Sequence, residues 1–325
     1  MAVSLTHEQR ESVIDITVQM TTNSSLDPVA ETPGEFALGY WVEILSLAIA
    51  VGGLVGNSII LWLLGFRIQR SPFSVYILNL AGSDALFLGS CFVLCLWEIL
   101  GDLDTVPELL GPCILNLPYF VGLTLLVAIS TERCLSVLFP IWYRCHRPKH
   151  MSATVCTFLW ALQGLSWGAF VALYFLANHL VFDLFYPTLL FVGFGWFSLL
   201  TCVLCMSSLS LVLRVQCSSR RRRPPRLYLL VLLAVLVFLL CGLPLGIFDS
   251  MQFFMDISLI PYRISRLLAC VNSSANPFIY FFLGSQSCKR GREPLRVVLQ
   301  RALGEEQLQI WAKDTSLPNT LDKLS

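Results

Sequence analysis

Ile129-Ser130-Thr131-Glu132-Arg133-Cys134-Leu135-Ser136-Val137-Leu138-Phe139-Pro140-Ile141-Trp142-Tyr143 is the stretch on which the reading of this chain turns. An adjacent acid and base, Glu132 and Arg133, stand near the end of an apolar run from Cys113 to Leu138, and Arg144, Arg147 and Lys149 follow within a few residues. Ionisable side chains inside a bilayer are costly and point to a function by default. A lone arginine could simply snorkel to the membrane edge. The neighbouring Glu132 and the basic loop weaken that reading and favour an acid–base pair placed where an apolar helix meets the cytosol.

Composition agrees with a membrane setting. The chain has 325 residues, of which 56% are hydrophobic and 13% charged, with a mean hydropathy of +0.71. That is too apolar for a soluble domain of this size and describes a polytopic membrane protein. The net charge of +1 decides little, because in a membrane chain the distribution of cations among loops matters more. Nothing in the composition suggests a nucleic-acid partner; the lipid bilayer is the expected surroundings.

Seven apolar stretches are long enough to cross a core about 30 Å thick. They lie near residues 38–66, 74–100, 112–138, 152–177, 184–215, 227–254 and 264–283. Cations separate cleanly between them. Arg67 and Arg70 follow the first span, Arg144, Arg147 and Lys149 the third, Arg220 to Arg223 and Arg226 the fifth, and Lys289, Arg290, Arg292 and Arg296 the seventh. The opposite side has Arg10, Arg263 and Arg266, with Asp102, Asp104 and Glu108 in its first loop. The positive-inside rule then puts the N-terminus outside, and seven spans leave the C-terminus in the cytosol.

The expected organisation is an extracellular tail at 1–37, a seven-span bundle at 38–284, an amphipathic membrane-surface helix at 285–303 and a cytosolic tail at 304–325. The tail at 1–37 has no apolar run able to act as a signal peptide, so the first span is expected to be its own insertion signal. Asn23-Ser24-Ser25 fits a glycosylation acceptor on the outer side, whereas the similar Asn272-Ser273-Ser274 lies within a span. Leu295, Val298, Leu299 and Leu303 recur at helical spacing with cations between them, the pattern of a helix lying on the inner membrane surface. Cys288 beside it is a candidate for palmitoylation.

Each span carries polar or helix-bending residues that an apolar helix does not need: Asn57, Asp84 in Leu80-Ala81-Gly82-Ser83-Asp84, Trp160, Pro244 in Cys241-Gly242-Leu243-Pro244, and Asn272 to Tyr280, which includes Asn276-Pro277. Taken singly, these are packing polars or kinks. Taken together and in order, with Glu132-Arg133, they resemble the landmarks of rhodopsin-like G-protein-coupled receptors over residues 38–303. The longer strings Thr131 to Pro148, Gly242 in place of the usual Trp, and Asn272 to Ser285 resemble the Mas-related receptor family.

The resemblance implies an all-α seven-transmembrane helix bundle acting as a cell-surface receptor. It implies an extracellular peptide, amine or small-molecule ligand and a heterotrimeric G protein of the Gq or Gi class, often in sensory signalling. Glu132, Arg133 and Tyr143 would serve G-protein coupling. Asn57, Asp84, Pro244, Asn272, Asn276, Pro277 and Tyr280 would form the activation network, with Pro244 as the hinge of the sixth helix. No cofactor is implied. No metal is assigned either, since Gly122 stands where many such receptors carry a serine that helps hold sodium near Asp84. No acid lies near Pro224 to lock the motif arginine, which suggests appreciable basal activity. No cysteine lies between Cys156 and Cys202, and no structural disulfide is expected.

The ligand site is expected at the outer end of the third, sixth and seventh helices, with Asn116, Tyr119, Asp249, Gln252, Phe253 and Arg266. Two readings of its charges stay open: Asp249 and Arg266 receive a zwitterionic or short peptide ligand, or they form a salt bridge that only ties two helices together. The fourth-helix acid that binds cations in some family members is matched here by Phe170.

Other classes fit less well. Gly164-Leu165-Ser166-Trp167-Gly168 matches a nucleophile-elbow pattern, but none of the four histidines lies within a span to serve it, so an enzyme is not expected. No Lys in the seventh span could hold retinal. A transporter or channel remains the alternative class, although it predicts internal repeats or paired midplane charges, which are not found.

Overall fold

A computed structural model describes residues 33–68, 71–100, 110–148, 150–176, 179–217, 226–251, 259–285 and 294–303. Gln252, Phe253, Asn23 and Cys288 lie outside them. Two compact units are distinguished, residues 1–40 and 41–325; of the first, only residues 33–40 are described, as helix.

All regular structure among the described residues is helical, as apolar segments of this length require when lipid offers their backbones no hydrogen bonds. Seven helices are long and apolar enough to span a membrane: Ala37–Arg67, Pro72–Leu100, Cys113–Leu138, Met151–Leu176, Leu184–Arg214, Leu227–Met251 and Pro261–Ser285. Several ends differ from the sequence expectation. The fifth helix starts back at His179, and the seventh starts at Leu259, which places Arg263 and Arg266 well inside it. Local chemistry sets some of the starts. Pro72 occupies the first turn of the second helix, where its missing N–H costs nothing, and the Ser74 N–H donates to Ser71 Oγ at 3.1 Å.

The third span is central and packs against the second, fourth, fifth and sixth. Polar groups join neighbouring spans at fixed points. Ser130 Oγ lies 2.8 Å from Ser207 Oγ of the fifth span, Trp160 Nε1 of the fourth donates to Asn79 Oδ1 of the second at 3.1 Å, and Ser90 Oγ donates to the Ile114 carbonyl at 2.8 Å. The first and seventh spans approach so closely at Gly53 that a Cβ there would sit 2.1 Å from Ser274 Oγ. The fourth and fifth spans turn most of their surface outward, and this surface is apolar.

The sixth span is not a uniform helix. A π-helical turn, Phe238–Gly242, separates Arg226–Val237 from Leu243–Met251. Pro244 has no N–H and its ring crowds the carbonyl four residues earlier, and widening the preceding turn relieves that crowding. After the seventh span comes the short helix Leu295–Ala302, whose Val298, Leu299 and Ala302 are buried against it.

Candidate functional site

At the end of the third span, Glu132 is buried and gathers donors from the segment that follows. Pro140–His146 forms a short helix, and it brings Tyr143 back so that its hydroxyl donates to Glu132 Oε1. Arg147 Nη2 donates to that same oxygen at 2.7 Å and to Ser152 Oγ, at the start of the fourth span, at 2.6 Å. Burial and the Glu132 carboxylate push the Tyr143 phenol up to about 12. Arg133 Nη2 is 3.5 Å from Glu132 Oε1, beyond a good hydrogen bond, and its guanidinium lies 4.8 Å over the Phe73 ring. Glu132 is thus held chiefly by Arg147 and Tyr143, and the sequence reading had not assigned Arg147 a role.

In the middle of the bundle, Asn276 Nδ2 donates to Asp84 Oδ2 at 2.7 Å, and Asn57 Nδ2 donates to the Gly53 and Ser273 carbonyls at 3.0 and 3.1 Å. Asp84, Asn272, Ser273 and Asn276 line a cavity of ≈ 20 Å³, roofed by Tyr119 and Phe238. It is large enough for about one water molecule, with polar groups to bond it. Gly122 lines it without a side-chain oxygen, and no cluster of three metal-binding side chains occurs among the described residues. Tyr280 is buried, and its hydroxyl makes no hydrogen bond.

Tyr119 marks the top of that core. It is buried, and its hydroxyl donates to the Gly242 carbonyl in the π-helical turn at 3.0 Å. Two glycines permit the approach. A Cβ at Gly242 would sit 2.5 Å from the Phe238 ring, and one at Gly246 would sit 2.3 Å from the Phe197 ring and 2.7 Å from the Tyr119 hydroxyl. A side chain at either position would have to displace these rings.

At the other end of the bundle the structure overturns one of the two open readings. Arg266 does not pair with Asp249. It is 1% exposed and grips Glu98 of the second span at two points, Nη1 to Oε1 at 2.8 Å and Nη2 to Oε2 at 3.0 Å. Its Nη2 also donates to Glu43 of the first span. Arg263, one turn away, lies 3.6 Å from Glu43 Oε1 and 3.7 Å from Glu98 Oε2. The pairing follows from which helices abut: the seventh faces the first and second here, and both bring an acid. Glu43 and Glu98 went unread in the sequence, although acids inside apolar spans are themselves a signal.

Asp249 takes no part in that cluster. Asn116 stands within hydrogen-bonding reach of its carboxylate, Oδ2 is buried and accepts no hydrogen bond, and Asp249 makes no ion pair among the described residues. The Tyr262 ring packs on Phe248 at 5.3 Å, with the Arg266 guanidinium 5.7 Å from its centroid. Of the six residues expected at the ligand site, Asn116, Tyr119 and Asp249 lie together and Arg266 is committed elsewhere. Ten cysteines, Cys113 among them, are free thiols.

Comparison with known proteins bears on the class. Residues 56–280 match the family model of the 7 transmembrane receptor (rhodopsin family). The chain is 43% identical over 297 residues to the human Mas-related G-protein coupled receptor member X1, covering 87% of this chain and 89% of the relative. It is 41% identical over 295 residues to the mouse Mas-related G-protein coupled receptor member E, covering 88% and 94%. It is also 44% identical over 276 residues to Mas-related G-protein coupled receptor member D of Macaca fascicularis, covering 81% and 84%. With seven apolar helices, the Glu132-Arg133 pair and the bent sixth helix in place, the chain belongs to the rhodopsin family of seven-transmembrane receptors and, within it, to the Mas-related G-protein-coupled receptors.

Proposed function

We propose that this receptor sits in the plasma membrane with residues 1–37 outside and residues 304–325 in the cytosol. On this reading it takes a peptide, amine or small-molecule ligand from outside and passes the signal to a Gq- or Gi-class protein, in keeping with a sensory role. Asn23 is the glycan acceptor on the outer tail, and residues 285–303 lie along the inner membrane surface. Ligand enters at the Asp249 end, among Asn116, Tyr119, Asp249, Gln252 and Phe253. Arg266 supports that site from behind.

The observation that carries the coupling role is the arrangement around Arg133. Because Arg147 and Tyr143 occupy Glu132, Arg133 rests on an aromatic ring beside an acid that others have taken. A planar guanidinium held this loosely is ready to meet a transducer when the sixth helix swings about the π-turn and Pro244. Ligand drives that swing only as far as it binds the open state better. The network of Asn57, Asp84, Asn272, Asn276, Pro277 and Tyr280 links the two ends.

The test is G-protein activation in cells expressing Arg133→Ala at matched surface level. The expected result is loss or strong impairment of both basal and ligand-stimulated activation, and wild-type signalling by this variant would remove the assigned role.

A further inference from the structure

We propose that Ser90 of the second span is a positioning residue for activation: its hydroxyl sets the bend of the third span at Pro118 and so decides whether Tyr119 keeps its hold on the sixth. This rests on the chain signalling through a swing of the sixth helix. Pro118 lies inside the third helix, Leu110–Leu138, and has no N–H to give the carbonyl four residues earlier, that of Ile114. In lipid a carbonyl freed in this way needs another donor, and serine and threonine hydroxyls commonly supply it. Ser90 is that donor here, for its Oγ donates to the Ile114 carbonyl at 2.8 Å. A rung missing from the third helix is thus supplied by the second.

The place of that rung gives it consequence. Asn116 stands just before Pro118 and Tyr119 just after it, and both turn to the sixth helix. Asn116 is within hydrogen-bonding reach of the Asp249 carboxylate, and the Tyr119 hydroxyl donates to the Gly242 carbonyl at 3.0 Å. Gly242 ends the π-helical turn on one side of Pro244, and Asp249 lies on the other. Each of the two helices therefore carries a proline between the same two points of contact. A change of bend at Pro118 moves Asn116 relative to Tyr119, and the sixth helix can keep both contacts only by changing its own bend at Pro244. Tyr119 clasps the very turn about which the sixth helix swings, so its hold favours the closed arrangement.

Ser90 has two places to put its proton. Its Oγ also lies 2.9 Å from the Leu86 carbonyl of its own helix. One hydroxyl proton serves two acceptors poorly, and the serine can give up Ile114 while remaining hydrogen-bonded to Leu86. With Ser90 on Ile114 the bend of the third helix is fixed, Tyr119 holds Gly242 and the sixth helix stays closed. With Ser90 on Leu86 alone the outer part of the third helix is released and the clasp loosens. A ligand that pulls on Asn116 biases this choice only as far as it binds the released state better.

The test measures basal G-protein activation by the full-length receptor in cells at matched surface level, with Arg133→Ala as the zero. Ser90→Ala is expected to raise basal activation about two- to tenfold, the shift that one hydrogen bond imposes on a two-state equilibrium. A serine that merely supports the fold would lower signalling when removed, not raise it. Ser90→Thr, which keeps the hydroxyl, is expected to match wild type. Pro118→Ala restores the N–H that Ile114 lacks, so adding Ser90→Ala to it is expected to change nothing further. Unchanged or reduced activation by Ser90→Ala overturns the proposal, as does an equal rise in Ser90→Thr or a rise of the same size in the Pro118→Ala background. If Pro118→Ala does not reach the surface, the comparison of Ser90→Ala with Ser90→Thr decides. Wild type above Arg133→Ala with Ser90→Ala no higher ends this inference alone; no variant above Arg133→Ala ends the coupling reading and this inference with it.

Discussion

Arg147 of the loop that follows the third span, not Arg133, makes the close ion pair with Glu132, at 2.7 Å against 3.5 Å. The acid of the motif is thus anchored to the segment joining the third and fourth spans. This arrangement leads to a test that needs no ligand. Arg147→Gln removes the shorter pair and the tie to Ser152, freeing Glu132 to draw Arg133 in. Arg133 should then be less available, and G-protein activation should fall at equal surface expression. Unchanged or raised activation in a bioluminescence energy-transfer assay would show that Arg147 does not compete for Glu132.

The phenol of Tyr143 yields a pH prediction. Its ionisation is pushed up to about 12 by burial and by Glu132, against an ordinary value of 10.0. A group with a raised value contributes stability that is complete below the unfolded value and lost as pH rises through the folded one. The Tyr143–Glu132 contact should therefore hold through pH 10 and give way towards pH 12. After discounting for partial exposure, it is worth on the order of 1 kcal/mol. Thermal melting of purified receptor across that window should show a drop in wild type that Tyr143→Phe lacks.

Breaking the charge cluster from one side should be far worse than removing all of it. Arg266→Gln leaves the buried Glu43 and the partly exposed Glu98 without their main partner, a loss of about 3–5 kcal/mol and enough to keep most of the protein from the cell surface. Glu43→Gln and Glu98→Gln added to Arg266→Gln should restore surface staining, because neutral amides of the same shape need no counter-charge. Staining as poor in the triple variant as in the single would mean that the charges do more than cancel.

Overpacking tests the contact between the first and seventh spans. Gly53→Ala places a methyl 2.1 Å from Ser274 Oγ and 2.7 Å from a Leu88 methyl, and it should cost about 1–3 kcal/mol. Ser274→Gly should recover most of that loss, visible as a rise in melting temperature of the double variant over the single.

The seven spans and the Glu132-Arg133 motif could be read from the sequence because both are local: a run of apolar residues, and two charges side by side. The Asp84–Asn276 pair was within reach because each member is a polar residue out of place in its own helix. The partners of Arg266 were not, since Glu98 and Glu43 lie 168 and 223 residues away and only the packing of the seventh span against the first and second brings them together. Asp249 offered a plausible partner at a similar depth in a neighbouring helix, and depth alone could not choose between acids. The π-helical turn at Phe238–Gly242 was equally out of reach: Pro244 announces a bend, but how the preceding turn absorbs it depends on Tyr119 and Phe197 across the helix.

The distance along the chain between Arg266 and its acids has a meaning for biosynthesis. Glu98 enters the membrane 168 residues before its arginine is made, an interval of roughly ten to thirty seconds at ordinary translation speeds. Through that interval the half-made chain holds two acids within apolar spans with no guanidinium to meet them. Such a chain is marked as unfinished by its own electrostatics, and the last helix to emerge is the one that clears the mark. Truncations and frameshifts before Arg266 should accordingly be retained and destroyed in the endoplasmic reticulum even when six complete spans precede the stop.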